Sequence, residues 1–293
     1  MSNTNNPLLE NHELPPFAEI KAEHVEPAID ELLMTSRSAI NELLDQSDPS
    51  WSAIIEPIEE LEDRLQKAFS PVSHMNSVVN TPELRDAYNK VLPRLSEYST
   101  EMGQNKALFD AYQAIKNSAE YDQLDQAQRK ALDNALRDFK LSGIDLPEDK
   151  KQRFAEISSQ LSSLSSKFSD NVLDATMAWQ KHIEDPALLA GLPQSALDQA
   201  EQLAQQNDKP GYLFTLDFPS YFPLITYADN RDLRREAYEA FTTRASDRGP
   251  GAGEFDNTDV ITEIMTLRKE LAELLGLKNY AEVSLAPKMA KDP

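Results

Sequence analysis

"PEDKKQRFAEISSQLSSLSSKFSDNVLDATMAWQKHI" occupies residues 147–183, and its spacing decides the fold class. Apolar side chains recur at Phe154, Ile157, Leu161, Leu164, Phe168, Ala175 and Ala178. Intervals of three and four place them on one stripe of an α-helix, the seam of a coiled-coil-like helix pair. Pro147 suits the first helical position, and Glu148 and Asp149 suit the positive end of the helix dipole. About 37 residues at roughly 1.5 Å each predict a helix on the order of 55 Å long. The serines between the apolar positions lie mostly off the seam. A nucleophilic role for one of them requires a strand-to-helix elbow and a nearby base, and the sequence offers neither.

The same period extends upstream and downstream. "WSAIIEPIEELEDRLQKAF" (51–69) aligns Ile54, Ile58, Leu61, Leu65 and Phe69 on one face. Residues 82–102 do so with Leu84, Tyr88, Val91, Leu95 and Tyr98. "QAQRKALDNALRDFKLSG" carries Ala131, Leu132, Ala135, Leu136 and Phe139, and stops at Gly143, a left-handed C-terminal glycine. Ser70-Pro71, Thr81-Pro82 and Asp185-Pro186 each read as a capping residue followed by a first-turn proline. Helical pattern returns in "LRREAYEAFTTRA", and a last helix runs from about Thr258 through Leu275 to Gly276. One stretch breaks the rhythm: "GYLFTLDFPSY" (211–221) alternates like a strand, which places one short β element near 212–218. Its edge is left exposed if its pairing partner lies downstream of the chain. "GPGAGEFDN" (249–257) lacks the lysine of a phosphate loop and reads as a flexible connection. The fold class is therefore all-α, mainly antiparallel helices. Two subregions are expected, a helical bundle over 1–185 and a helical segment with the short strand over 186–293.

Composition agrees and narrows the chemistry. Of 293 residues, 40% are hydrophobic and 27% charged, enough to bury a core. Glycine occurs 8 times, too rarely for a turn-rich β protein, and strong helix formers dominate. The net charge of −21 repels phosphate backbones, so no nucleic acid is expected as a partner. The absence of cysteine removes disulfides, thiolate nucleophiles and cysteine zinc sites together. No apolar run approaches the roughly 20 residues that span a bilayer, and "MSNTNNPLLE" lacks the features of a secretory signal. No membrane and a cytoplasmic location are the expectation.

Four histidines exist: His12, His24, His74 and His182. No two stand three to five residues apart, so no helical metal pair can be drawn. "NHELPP" (11–16) begins like the zinc-peptidase signature His-Glu-x-x-His, but Pro16 stands where the second histidine belongs. Pro15 and Pro16 also exclude the continuous helix that signature needs. Paired carboxylates such as Glu59-Glu60, and Asp256 with Asp259, carry little signal in so acidic a chain, and no calcium-loop spacing is present. From the residues alone there is no catalytic residue and no metal ligand, and the substrate-binding residues are unknown.

Longer stretches carry more. "ELPPFAEIKAEHVEPAI", "FSPVSHMNSVVNTPELRDAYNKVLPRLSEYST" (69–100), "ALDNALRDFKLSGIDLP" (131–147) and "NVLDATMAW" (171–179) follow one another in a recognisable order. "TRASDRGPGAGEFDN" (243–257) and "LRKELAELLGLKNYAEVSLAPKMA" (267–290) continue it. Together they resemble the thimet oligopeptidase family of zinc metallopeptidases over essentially the whole chain. The resemblance implies a nearly all-helical, two-lobed enzyme around a deep channel that admits short peptides and excludes folded proteins. It implies zinc held by two histidines and a glutamate, with the motif glutamate activating water, all downstream of this chain. No catalytic or metal residue is therefore carried over onto residues 1–293, and none of them is expected to bind zinc. The matched region implies the N-terminal, channel-forming lobe, catalytically inactive by itself, with short peptides and its own C-terminal catalytic lobe as partners. Asp292-Pro293 again pairs a capping residue with a first-turn proline, which supports the expectation of a longer parent chain. Two other readings stand beside this one: a non-catalytic peptide-binding or interaction module, and a plain helical scaffold.

Overall fold

The computed structural model describes residues 6–46, 48–290 and 292–293. It divides into two compact units, one formed by Met1–Ser163 with Thr266–Pro293 and the other by Leu164–Met265. The unit boundaries fall inside two helices, so each helix contributes part of its length to each unit. The fold is mainly helical, with a single small sheet among the described residues.

The first unit opens with α1 (Ala22–Gln46), a π-helical turn at Trp51–Ile55, α2 (Glu56–Val78) and α3 (Pro82–Gly103). There follow α4 (Lys106–Lys116), α5 (Gln126–Leu141) and the beginning of α6 (Glu148–Ala178). Val25, Ala28, Ile29, Leu32 and Leu33 of α1 recur every three to four residues and face Leu65, Ala68 and Val72 of α2 and Leu84, Ala87 and Val91 of α3. A second cluster joins Ile40, Ile54, Ile55 and Ile58 to Leu108, Phe109, Tyr112 and Ile115 of α4 and to Leu132 and Phe139 of α5. The Phe139 ring meets Phe109 at 5.6 Å and Tyr112 at 5.4 Å, both edge-on. Each fully buried side chain of this kind contributes about 1.5–3 kcal/mol of transfer free energy.

Local signals set most helix ends. Thr81 accepts from the Leu84 amide and Pro82 takes the first turn, as expected. Asp125 and Gln128 form a reciprocal capping box at the start of α5. Gly143 lies at φ +80° after α5, where an added Cβ would stand 2.7 Å from Leu146. Ser70-Pro71 behaves differently. α2 runs straight through it, and Pro71 is buried inside the helix. Burial of the ring and the turns on either side outweigh one missing amide bond, so the start signal is overridden. Asp185 does cap Pro186, but the product is a short 3₁₀ turn over Pro186–Leu189 rather than an α-helix.

The second unit begins with the rest of α6. That helix has 31 residues, shorter than its periodicity suggests, because Gln180–Ile183 leave the helix as strand β1. The seam is buried at Phe154 and Ile157, in the first unit. In the second unit it opens, and Phe168 is 37% exposed. α7 (Gln194–Gln206) follows, then strand β2 (Tyr212–Thr215), α8 (Phe218–Tyr227) and α9 (Arg231–Thr242). The two strands pair antiparallel, with Gln180 opposite Thr215 and Ile183 opposite Tyr212. The partner of β2 lies upstream, so the condition for an exposed edge is not met. One expectation is corrected: the strand ends at Thr215, and Phe218 starts a helix, because Pro219 in the first turn removes an amide that a strand would use and a helix would not. Leu213 and Phe214 are both buried, so alternation does not sort an inner from an outer face here. Gly211, at φ +78°, turns the chain into β2 where a Cβ would meet the Ile183 carbonyl at 2.5 Å.

Ile183, Phe214, Leu216, Tyr221, Leu224, Leu233 and Ala237 form the core of this unit. The segment 249–257 is not a loose connection. The Gly253 amide donates to Ser246 O at 3.0 Å, and the Asn257 amide donates to Ala245 O at 3.0 Å. Asn257 itself is 1% exposed; it donates to Phe168 O at 3.1 Å and accepts from Asn171 Nδ2 at 2.8 Å. α10 (Thr258–Leu274) then carries the chain back into the first unit, which closes with α11 (Tyr280–Leu285). Among the described residues, no helix is long and apolar enough to cross a membrane.

Candidate functional site

The histidines do not converge. His24 caps the start of α1, its Nδ1 accepting from the Lys21 amide at 3.1 Å. His74 lies on α2 with its ring 5.7 Å from Phe17. His182 is on β1 and bonds the Pro210 carbonyl. His12 belongs to a non-helical segment; residues 11–16 run as bends and extended chain, in keeping with Pro15 and Pro16. Glu13 is exposed while His12 is half-buried, so the two side chains of the motif-like dipeptide part company.

His12 does line a cleft. The segment from Pro7 to Pro16 arches over α2 and encloses about 620 Å³ with Asp63, Arg64, Lys67 and Ser70. The His12 Nε2 atom is buried without a hydrogen bond and stands 3.6 Å from the Glu10 carboxylate. His12 with Glu10 makes neither a zinc site nor a nucleophile–base pair. Among the described residues, no group of three His, Asp or Glu side chains could hold a metal ion. The described residues supply no ligand set that fits the zinc the resemblance implies.

Charged side chains of the first unit are mostly engaged in structure. Arg94 of α3 donates to Asp30 at 2.8 Å and Glu26 at 2.9 Å, tying α3 to α1. Arg153 of α6 makes a two-pronged pair with Glu270 of α10, at 2.6 and 2.8 Å, and also reaches Glu156. The Arg153 hydrogen bonds hold the Glu270 carboxyl below the usual carboxylate range, with burial opposing. Lys116 does the same for Asp133.

A second cleft, of about 120 Å³, opens in the second unit between Trp179, Arg244, Glu254 and Phe255. No spacing rule points to it. Its walls come from the end of α6, the residues after α9 and the 249–257 turns, which meet only in the folded unit. The one sequence signal was the run "TRASDRGPGAGEFDN", which carried resemblance but no chemistry of its own.

Comparison with known proteins gives the family context. Residues 29–151 match the family described as neurolysin/thimet oligopeptidase, N-terminal domain. Residues 224–293 match peptidase family M3. Oligopeptidase A of Haemophilus influenzae is 55% identical over 288 residues, covering 98% of this chain and 42% of the relative. Oligopeptidase A of Salmonella typhimurium is 53% identical over 289 residues, again 98% of this chain and 42% of the relative. A probable cytosolic oligopeptidase A of Arabidopsis thaliana is 40% identical over 294 residues, 98% of this chain and 41% of the relative. The chain therefore spans about two fifths of the length of these curated relatives, and it matches their N-terminal part.

Proposed function

We propose, on the premise that this chain belongs with the N-terminal part of the peptidase family M3 oligopeptidases, that it is the channel-forming lobe of an oligopeptidase A-like zinc metalloendopeptidase. The observation that carries the reading is 55% identity sustained over 98% of the chain. Insertions or a change of fold would interrupt such a match, and the helical architecture fits it. In this reading the lobe restricts which peptides reach a catalytic centre. The zinc ligands and the general base lie in a C-terminal catalytic lobe that is its partner. Short cytoplasmic peptides are the substrates. Zinc bound in that other lobe supplies the Lewis acid and the activated water. The residues described above contribute walls and charge, not a reacting group.

The division of labour has a direct test. Purified residues 1–293 are expected to bind no stoichiometric zinc and to leave a quenched fluorescent peptide intact. The parent polypeptide, read onward from the same frame, is expected to contain His-Glu-x-x-His and to cleave that peptide until a chelator is added. Chelator-sensitive cleavage by residues 1–293 alone would overturn the assignment of roles. A parent frame without the motif would overturn the peptidase reading altogether.

A further inference from the structure

Arg244 lies just past the end of α9, and an aromatic ring and uncharged acceptors together hold it beside a cleft. Its guanidinium sits 3.7 Å over the Phe241 ring. That ring is in turn stacked on Tyr221, 3.9 Å away and inclined by 7°. Nε donates to Phe241 O at 2.9 Å, and Nη1 donates to Thr176 Oγ1 at 2.8 Å. Both acceptors are uncharged. Among the described residues no carboxylate pairs with Arg244 and no partner meets Nη2, although the chain has 50 acidic side chains. Burial pushes the guanidinium below its ordinary value, with Tyr221 opposing. An arginine fixed by a ring below it and by two neutral acceptors, half-buried and without a counter-charge, is prepared to bind an anion that the fold does not itself provide.

The surroundings say which anion. Ala245, the next residue, is held at φ +50°, an unfavourable conformation for a residue with a Cβ. The Asn257 amide secures it through the Ala245 carbonyl. Such locally strained positions are kept where the surrounding structure over-determines them, often beside ligand sites. The cleft on which Arg244 opens is walled by Ala175, Ala178, Trp179 and Phe255 and has a volume of about 120 Å³. A cavity of roughly 150 Å³ accommodates a benzene ring, so this one suits a small apolar group beside the guanidinium. Glu254 stands exposed on the rim.

We propose that this cleft is a carboxylate subsite. It takes an α-carboxylate on Nη2 of Arg244 and the adjoining small apolar side chain against Trp179 and Phe255. A free amino acid and the C-terminal residue of a peptide both carry that chemistry. With Nε and one Nη1 hydrogen engaged, the hydrogens left on Nη1 and Nη2 can meet both carboxylate oxygens, the two-pronged arrangement in which arginine binds selectively. The inference does not rest on the peptidase reading, because it concerns binding by these residues themselves, without hydrolysis.

Calorimetric titration of the purified chain with N-acetyl-L-alanine, L-alanine and N-acetyl-L-alaninamide tests it. The acid is expected to bind at least about tenfold more tightly than the amide, because a site built for the carboxylate rejects the analogue that lacks it. Arg244→Met and Arg244→Lys are each expected to weaken the acid by about tenfold or more and to leave the amide unchanged, since lysine lacks the planar fork. Ala178→Leu, on an exposed position that cannot disturb the core, fills the cleft and is expected to block binding even if an Arg244 variant misfolds. Glu254→Gln is expected to tighten the acid by removing a like charge. Tighter binding of N-acetyl-L-alanine than of L-alanine identifies a peptide end as the ligand, and the reverse order identifies a free amino acid. Equal binding of acid and amide overturns the proposal. So does undiminished acid binding in folded Arg244→Met, or no binding of any of the three.

Discussion

Arg153 in the first unit and Arg244 in the second are both half-buried, yet they have opposite surroundings. Arg153 grips Glu270 through two hydrogen bonds and reaches Glu156 with a third. Arg244 lies on an aromatic ring, with a carbonyl and a hydroxyl as its acceptors. The contrast extends to the cores around them. The first unit interlocks aliphatic faces of α1, α2 and α3, and its second cluster adds the edge-on rings of Phe109, Tyr112 and Phe139. The second unit builds one cluster around a two-stranded sheet and the Tyr221–Phe241 stack. Where a cation already has its carboxylate, it holds helices together. Where it is fixed but uncompensated, it is available to something outside the chain. In an acidic protein the second case is the informative one, because carboxylates for pairing are plentiful.

The strongest way to break this comparison is through the cores. Phe214→Ala, at a position 2% exposed, is expected to destabilise the second unit by about 3–5 kcal/mol. Ile29→Ala, at 0% exposure, is expected to cost the first unit about 2–5 kcal/mol. Urea denaturation followed by circular dichroism measures both. A loss below about 1 kcal/mol in either would show that the named side chain does not anchor its unit.

A smaller effect is expected at Asn257. Its side chain bridges Phe168 O and Asn171 and anchors the turns beside Arg244. Asn257→Ala leaves buried polar groups unpaired, at a cost of about 1–3 kcal/mol. Any binding at Arg244 should weaken in parallel, since the turns that carry Ala245 lose their side-chain anchor to Phe168 and Asn171 while keeping the Asn257 amide bond to Ala245 O. Stability lost with carboxylate binding intact would separate the turns from the site.

The smallest effect concerns charge in the first unit. The Glu270 carboxyl is held below its ordinary value of 4.5 by Arg153. A depressed folded value means that the pair's contribution is complete above the ordinary value and is lost as pH falls through the folded one. Glu270→Gln should therefore flatten the acid side of the stability profile and leave the cleft beside Arg244 unaffected. Urea midpoints taken from about pH 6 down to about pH 3 check this. An unchanged acid slope would show that the pair is too well solvated to matter, as exposed pairs often are.

Much of the helical design was legible because it is local. The Thr81 cap, the Gly143 stop and the start of α10 at Thr258 follow from residues within one turn of the helix end. The apolar faces of α2, α3 and α5 follow from three- and four-residue spacing. The failures share a cause. At Pro71 a start signal lost to burial of the ring. After Ala178 the helical period ran on in the sequence, but Gln180–Ile183 paired with Tyr212–Thr215 instead. The segment 249–257 lacked any pattern, yet hydrogen bonds to Ala245, Ser246 and Phe168 hold it. Cleft formation was illegible for the same reason, since Thr176 and Trp179 are distant in sequence from Arg244 and Phe255.

By itself the sequence determined the fold class, the acidic character and the absence of thiol chemistry, because composition and short-range periodicity encode them. It also carried the relationship to the oligopeptidases in long colinear stretches. Only the tertiary structure decided that Arg244 goes without a carboxylate among the described residues while Arg153 has two. Pairing depends on which side chains are brought within about 3 Å of one another, and sequence spacing does not contain that distance.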